Sequence, residues 1–197
     1  MWCLNLGWTL AASREKIMQG YSTYEVVTWG RMNGGADPST LQRALTRVKT
    51  ICSTYHAFAA VRRDGTVVTW GDKDYGGEST TVQAALIGVE IIYSTGFAFA
   101  AVLKNGTVVT WGHKDYGGDS SNVQEALIGV QAIYSTGGAF AAALKDGTVV
   151  TWGNKNVGGD SRTVHAALIG VEKVYSTKSE FAAVLKDGTI VTWGDKD

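Results

Sequence analysis

The chain has 197 residues with 18 Lys plus Arg against 18 Asp plus Glu, a formal net charge of zero. It therefore carries no basic stripe of the kind nucleic-acid binding demands, and no nucleic-acid partner is expected. It is long enough for one domain with a sizeable core, and 25 Gly with a single Pro suit a turn-rich β protein rather than a disordered one. Cys3 and Cys52 form no disulfide framework, which favours a reducing intracellular compartment without naming an organelle.

In chain order, Trp2, Leu4, Leu6, Trp8 and Leu10 alternate with Cys3, Asn5, Gly7 and Thr9, which predicts a strand. No positive charge precedes this run, so it does not read as a signal peptide, and it is too short to span a bilayer. Arg14–Gly20 reads as a polar connector. From Glu25–Trp29 onward one pattern takes over. Trp29, Trp70, Trp111, Trp152 and Trp193 stand 41 residues apart, each followed by Gly, and the units align without a gap. Such a period signals a repeat array, here one repeat domain over residues 1–197.

Within the unit, Phe99–Gly112 (FAAVLKNGTVVTWG) reads as a β-hairpin. Asn105-Gly106, with Asp64-Gly65, Asp146-Gly147 and Asp187-Gly188, predicts a two-residue type I′ turn. That register sets Leu103 opposite Val108, Val102 opposite Val109 and Ala100 opposite Trp111. Both faces of the hairpin are apolar, so neighbouring units must cover both sides. The column Tyr93, Tyr134, Tyr175 holds Cys52 in the first unit, where a small residue fills a packing slot.

Four linking halves begin at Gly35, Gly76, Gly117 and Gly158. In the first three, a Ser or Thr precedes a Gln at capping-box spacing: Ser39 and Gln42, Thr80 and Gln83, Ser121 and Gln124. Val123, Ala126 and Leu127 lie on one helical face, and Gly129 suits the residue after the helix. The expectation is a helix of about two turns, then a strand, so each unit is three strands plus one short helix.

DGTVVTWG, an N/D-x-GG stretch, V-x-x-I and a small-residue strand returning to DG together resemble the regulator of chromosome condensation repeat. The resemblance covers about residues 24–197, and KDYGGDS with VQ-x-AL is similar in wording to dinoflagellate repeat proteins of that family. It implies a β-propeller: about five blades, with Trp2–Leu10 completing the first, or an open propeller-like arc. Thr54, Thr95, Thr136 and Thr177 replace a family Gly; Ala57, Ala98, Ala139 and Glu180 replace a family His. The namesake exchanges nucleotide on a small GTPase through a wedge inserted in one blade, and no unit here carries an insertion.

Candidate chemistry is sparse. Asp72, Asp74 and Glu78 alternate like calcium ligands, but only the acidic column of Glu78, Asp119 and Asp160 persists, as a favourable charge before a helix start. His56, His113 and His165 fall in three different columns, and no catalytic constellation repeats. No catalysis, metal or cofactor is therefore expected. Columns that build the fold stay fixed between copies, while those free to vary suit binding loops. The variable columns hold Tyr55, His56, Phe97, Lys178, Ser179 and Glu180, and Arg31, Asp72, His113 and Asn154. The reading is a non-enzymatic scaffold for a protein partner, possible self-association if the ring is open, and a small-ligand or sugar-binding propeller as the alternative.

Overall fold

A computed structural model describes residues 9–18, 21–30, 41 and 44–195 of the chain. It is mainly β. Strands β1 (Thr9–Met18) and β2 (Tyr21–Gly30) form an antiparallel pair. Arg14–Met18 thus belong to a strand and not to a connector; the alternating run Trp2–Trp8 lies outside the described residues, as does Ser39 with Gln42. Four three-stranded antiparallel sheets follow. They are β3 (Val48–Ser53), β4 (Ala57–Arg62) and β5 (Val67–Gly71); β6 (Val89–Ser94), β7 (Ala98–Leu103) and β8 (Val108–Gly112); β9 (Val130–Ser135), β10 (Ala139–Leu144) and β11 (Val149–Gly153); and β12 (Val171–Ser176), β13 (Glu180–Leu185) and β14 (Ile190–Gly194).

The hairpin register differs by one residue from the sequence expectation. Val102 pairs with Val108, Ala101 with Val109, Ala100 with Thr110 and Phe99 with Trp111. The cause is the turn. Leu103 N–H donates to the Thr107 carbonyl at 2.9 Å and Gly106 N–H to the Leu103 carbonyl at 2.8 Å, closing a three-residue loop. Gly106 has φ 84°, whereas Asn105 does not enter positive φ. This is a type I turn followed by a left-handed Gly, which Asx-Gly satisfies as well as a type I′ turn. The Asn105 side chain braces it by accepting from Thr107 N–H at 3.0 Å. A one-residue slip exchanges the faces of a strand against its partner. Each Trp therefore faces Phe and not Ala, and the pairs Phe58–Trp70, Phe99–Trp111, Phe140–Trp152 and Phe181–Trp193 stack at 5.1–5.2 Å.

Two-sided burial does hold, and the cores sit at the junctions between units. One joins Ala57, Ala59, Val61 and Val67 of the first sheet to Leu86, Val89, Ile92, Phe99 and Trp111 of the next unit. The same arrangement recurs one and two units on. Cys52 fills its slot in the first of these cores. Burying a Val, Leu, Ile or Phe side chain at such a junction is worth about 1.5–3 kcal/mol, so a unit is stable through its neighbours.

The expected two-turn helix is a 3₁₀ segment: Ser121–Ala126 in one unit, and Gln83–Ala85 or His165–Ala167 in others. Only part of the predicted face is buried. Leu127 is buried and Val123 packs on the core, but Ala126 is exposed. The capping box does not form as spaced. Ser79 and Ser120, one residue before the expected caps, donate instead to the Gln83 and Gln124 side-chain carbonyls at 2.8 and 2.9 Å. Gln124 in turn donates to the Val108 carbonyl at 3.1 Å, tying the linker to β8.

Two predictions follow from the turns and their carboxylates. Gly147 sits at φ 84° and an added Cβ would lie 3.2 Å from Gly170 Cα; Gly137 has ordinary φ, with Lys178 O at 3.1 Å from its Cβ position. Gly147→Val should lower the urea midpoint by more than Gly137→Val, by about 1–3 kcal/mol for a β-branched residue in this region. Equal midpoints would mean the left-handed turn position is misassigned. Asp160 is held down from 3.8 to about 2, chiefly by the Arg162 side chain and then by its backbone N–H. Asp64 and Asp146 are lowered by the hydroxyl and N–H of Thr66 and Thr148. Carboxyls lowered on folding stabilise the fold above their unfolded value. Asp160's share is lost as pH falls from about 4 to about 2. Urea midpoints should be flat from neutral pH to about 5 and decline below 4, with a shallower decline in Asp160→Asn.

Candidate functional site: an aromatic end of the array

The strands place their hairpin turns at one end of the array and the β3–β4 and β6–β7 connections at the other. At this second end the units are stitched by backbone. Tyr55 N–H donates to the Gly96 carbonyl, Gly96 N–H to Gly137, and Gly137 N–H to Lys178, at 2.9, 3.0 and 2.7 Å. The column that varies most is therefore a ladder running from unit to unit. A buried Thr fixes each rung. Thr95 Oγ1 accepts from Ala98 N–H at 3.0 Å and donates to the Tyr116 carbonyl at 3.1 Å, and Thr54 and Thr136 do the same with Ala57 and Tyr75, and Ala139 and Val157. The Thr that stands in place of a family Gly thus joins the connection to the 3₁₀ turn that follows β5, β8 or β11.

On this frame lies a stack of rings. His56 meets Tyr75 edge-on at 4.5 Å, Tyr75 stacks on Phe97 at 5.3 Å, and Phe97 stacks on Tyr116 at 4.4 Å. Tyr55 and His113 close on Phe97 edge-on at 5.2 and 6.4 Å. Rings of two kinds alternate: His56 and Phe97 come from the connections, Tyr75 and Tyr116 from 3₁₀ turns Lys73–Tyr75 and Lys114–Tyr116. The stack ends where Gly138 stands: a Cβ there would be 2.6 Å from the Tyr116 ring. Gly96 is likewise needed, since its Cβ would lie 2.4 Å from the Tyr55 ring. His56 is exposed and the other five rings are half-buried.

The structure thus brings Tyr55, His56, Phe97 and His113 together and recruits Tyr75 and Tyr116, which sequence comparison passed over because both copies carry Tyr. Val157 in the third unit was the available signal that this column is not fixed by the fold. Lys178, Ser179 and Glu180 lie apart, at the fourth sheet. Asp72 and Asn154 cap their turns, accepting from Asp74 and Asn156 N–H at 2.9 Å each. Arg31 lies outside the described residues. His113 occupies the same capping column without a side-chain cap bond, and its Nδ1 is buried with no partner among the described residues. In the acidic column, Glu78 accepts from the Thr80 hydroxyl at 2.8 Å and Asp119 from Ser121 N–H at 2.9 Å.

No protein-family model matches the chain, and no curated protein matches it in sequence. Solved structures do match in fold. Prp20p from Saccharomyces cerevisiae, described with its binding to Gsp1p and histones, superposes with a TM-score of 0.54 at 18% identity over 78% of this chain and 46% of its own. The ectodomain of the receptor kinase CR4 from Physcomitrella patens gives 0.55 at 17% identity over 88% and 49%. The ectodomain of the Arabidopsis thaliana receptor kinase ACR4 gives 0.52 at 14% over 88% and 63%. The chain spans about half the length of the first two.

Two substitutions probe this end. Thr95→Val removes a buried hydroxyl from between two backbone groups and should cost about 1–3 kcal/mol in a urea melt. His113→Asn supplies the missing cap and should raise stability by about 0.5–2 kcal/mol. A loss in the second case would mean that the His113 ring is held there by the fold. With four sheets joined face to face, each of three antiparallel strands ending in Trp-Gly, the chain has the propeller-like fold of the regulator of chromosome condensation repeats.

Proposed function

We propose that this chain is a non-catalytic protein-interaction module and that the aromatic end, centred on Phe97, is its contact surface. One observation carries the reading. The six rings are confined to the first two units, while the equivalent positions further along hold Gly137, Gly138, Ser179, Asn154 and Val157. The fold accepts Gly, Ser and Val there, so the rings are not its requirement. Partly exposed aromatic clusters on a rigid frame are common anchors of protein interfaces. His113 supports this: the position gives up a cap bond and keeps ring contacts with Phe97 and Tyr116. That Prp20p binds Gsp1p and histones, and shares the fold, makes a protein partner a consistent choice.

The test is isolation of the native complex from its source, followed by capture with the wild-type chain and two replacements by Gly/Ser. One replaces Tyr55, His56 and Phe97; the other replaces Lys178, Ser179 and Glu180. The first should lose the partner at unchanged urea midpoint, and the second should retain it. Retention by both would remove the aromatic end as the contact surface. Nucleotide exchange on a small GTPase would be shown by acceleration in an exchange assay, and sugar binding by Trp or Tyr fluorescence that changes on titration with glycans; neither is expected.

A further inference from the structure

The face of the fourth sheet turned away from the third unit exposes large apolar side chains. Ile190 is 65% exposed and Tyr175 57%, whereas Val108 and Val149, which hold the Ile190 column in inner units, are 2% exposed. The register places Lys173 opposite Val184, Tyr175 opposite Ala182, Val184 opposite Ile190 and Ala182 opposite Thr192 on this face, with Glu180 at its far end opposite Gly194.

Two positions set this face apart from its inner counterparts. Lys173 stands where earlier units have Thr50, Ile91 and Ala132, and Glu180 where they have Ala57, Ala98 and Ala139, each 0–1% exposed. A further unit stacked as the inner ones are would bury the Glu180 carboxylate against an apolar sheet, at high cost without a partner. The face carries two charges that its inner counterparts lack. Its pattern is an apolar centre of Tyr175, Ala182, Val184 and Ile190, with a cation near one end of the strands and an anion near the other. Four residues of β13 separate Val184, opposite Lys173, from Glu180, about 13 Å along the strand.

We propose that this face pairs with the same face of a second copy of the chain about a two-fold axis. An axis perpendicular to the strands, lying between the faces, reverses strand direction. It brings Lys173 of each copy to Glu180 of the other and joins the two apolar centres. Such an interface is self-complementary and closed. The surface lies in a different unit from the aromatic end, so the proposal does not depend on the protein-binding reading.

Light scattering on the full chain tests it. The wild type should have the mass of a dimer that dissociates on dilution. Lys173→Glu and Glu180→Lys alone should each be monomeric with unchanged urea midpoints extrapolated to the monomer, because each sets like charges against each other. An equimolar mixture of the two should recover the dimer, since both cross-pairs then join opposite charges, one with reversed and one with native sign. Ile190→Asp should be monomeric in every mixture. A wild type that stays monomeric, an open-ended series of larger masses, single variants that still dimerise, or a mixture that stays monomeric would each overturn the two-fold pairing.

Discussion

Everything in this molecule depends on how one Trp is seated between two units. Trp111 stacks on Phe99 of its own hairpin, and its indole N–H donates to the Gly76 carbonyl of the preceding unit at 3.0 Å. Trp152 and Trp193 repeat this with Gly117 and Gly158, both at 3.1 Å. The glycine does three things at once. Its carbonyl accepts the indole proton, its φ of 89–102° ends a 3₁₀ turn, and its bare Cα lets the Phe ring approach. A Cβ at Gly76, Gly117 or Gly158 would stand 2.5–2.7 Å from that ring. A buried indole N–H would be costly without an acceptor, and Gly76, Gly117 and Gly158 each supply one.

This seat explains the order of the structure. Because Trp and Phe share a face and reach back to the previous unit, the other face of each hairpin, built from Ala and Val, is left for the next unit. Large residues on one side meet small ones on the other, which is how sheets interdigitate at native packing density. The array therefore has a direction. The fourth sheet's outer face carries Lys173 and Glu180 where inner units keep small or apolar side chains.

The 41-residue period, the three strands per unit, the two-sided burial and the propeller-like fold were all legible in the sequence. The register was not. Asp-Gly and Asn-Gly suit two hairpin turns that differ by one residue, and nothing local distinguishes a type I′ turn from a type I turn with a left-handed Gly. Pairing Phe99 with Trp111 decides it, through stacking that only the fold reveals. In the linker Val123, Ala126 and Leu127 have helical spacing, but the segment is too short to offset the cost of nucleating an α-helix and closes as a 3₁₀ turn. At the aromatic end, Tyr55, His56, Phe97 and His113 stood out because copies differ there. Tyr75 and Tyr116 did not, since identity between two copies looks like a demand of the fold until Val157 is placed beside them.

The junction can be isolated from backbone strain with two alanine substitutions. Gly117 and Gly129 both have positive φ, 102° and 70°. At Gly129 a Cβ would meet only Lys145 side-chain atoms at 3.9–4.0 Å, whereas at Gly117 it would lie 2.6 Å from the Phe140 ring. Each Ala carries a left-handed backbone cost of about 1–2 kcal/mol, and Gly117→Ala adds overpacking of about 1–3 kcal/mol. Urea melts of the two variants should place Gly117→Ala clearly below Gly129→Ala. Coincident midpoints would contradict the account, because the Trp–Phe–Gly seat would then not be what holds one unit to the next.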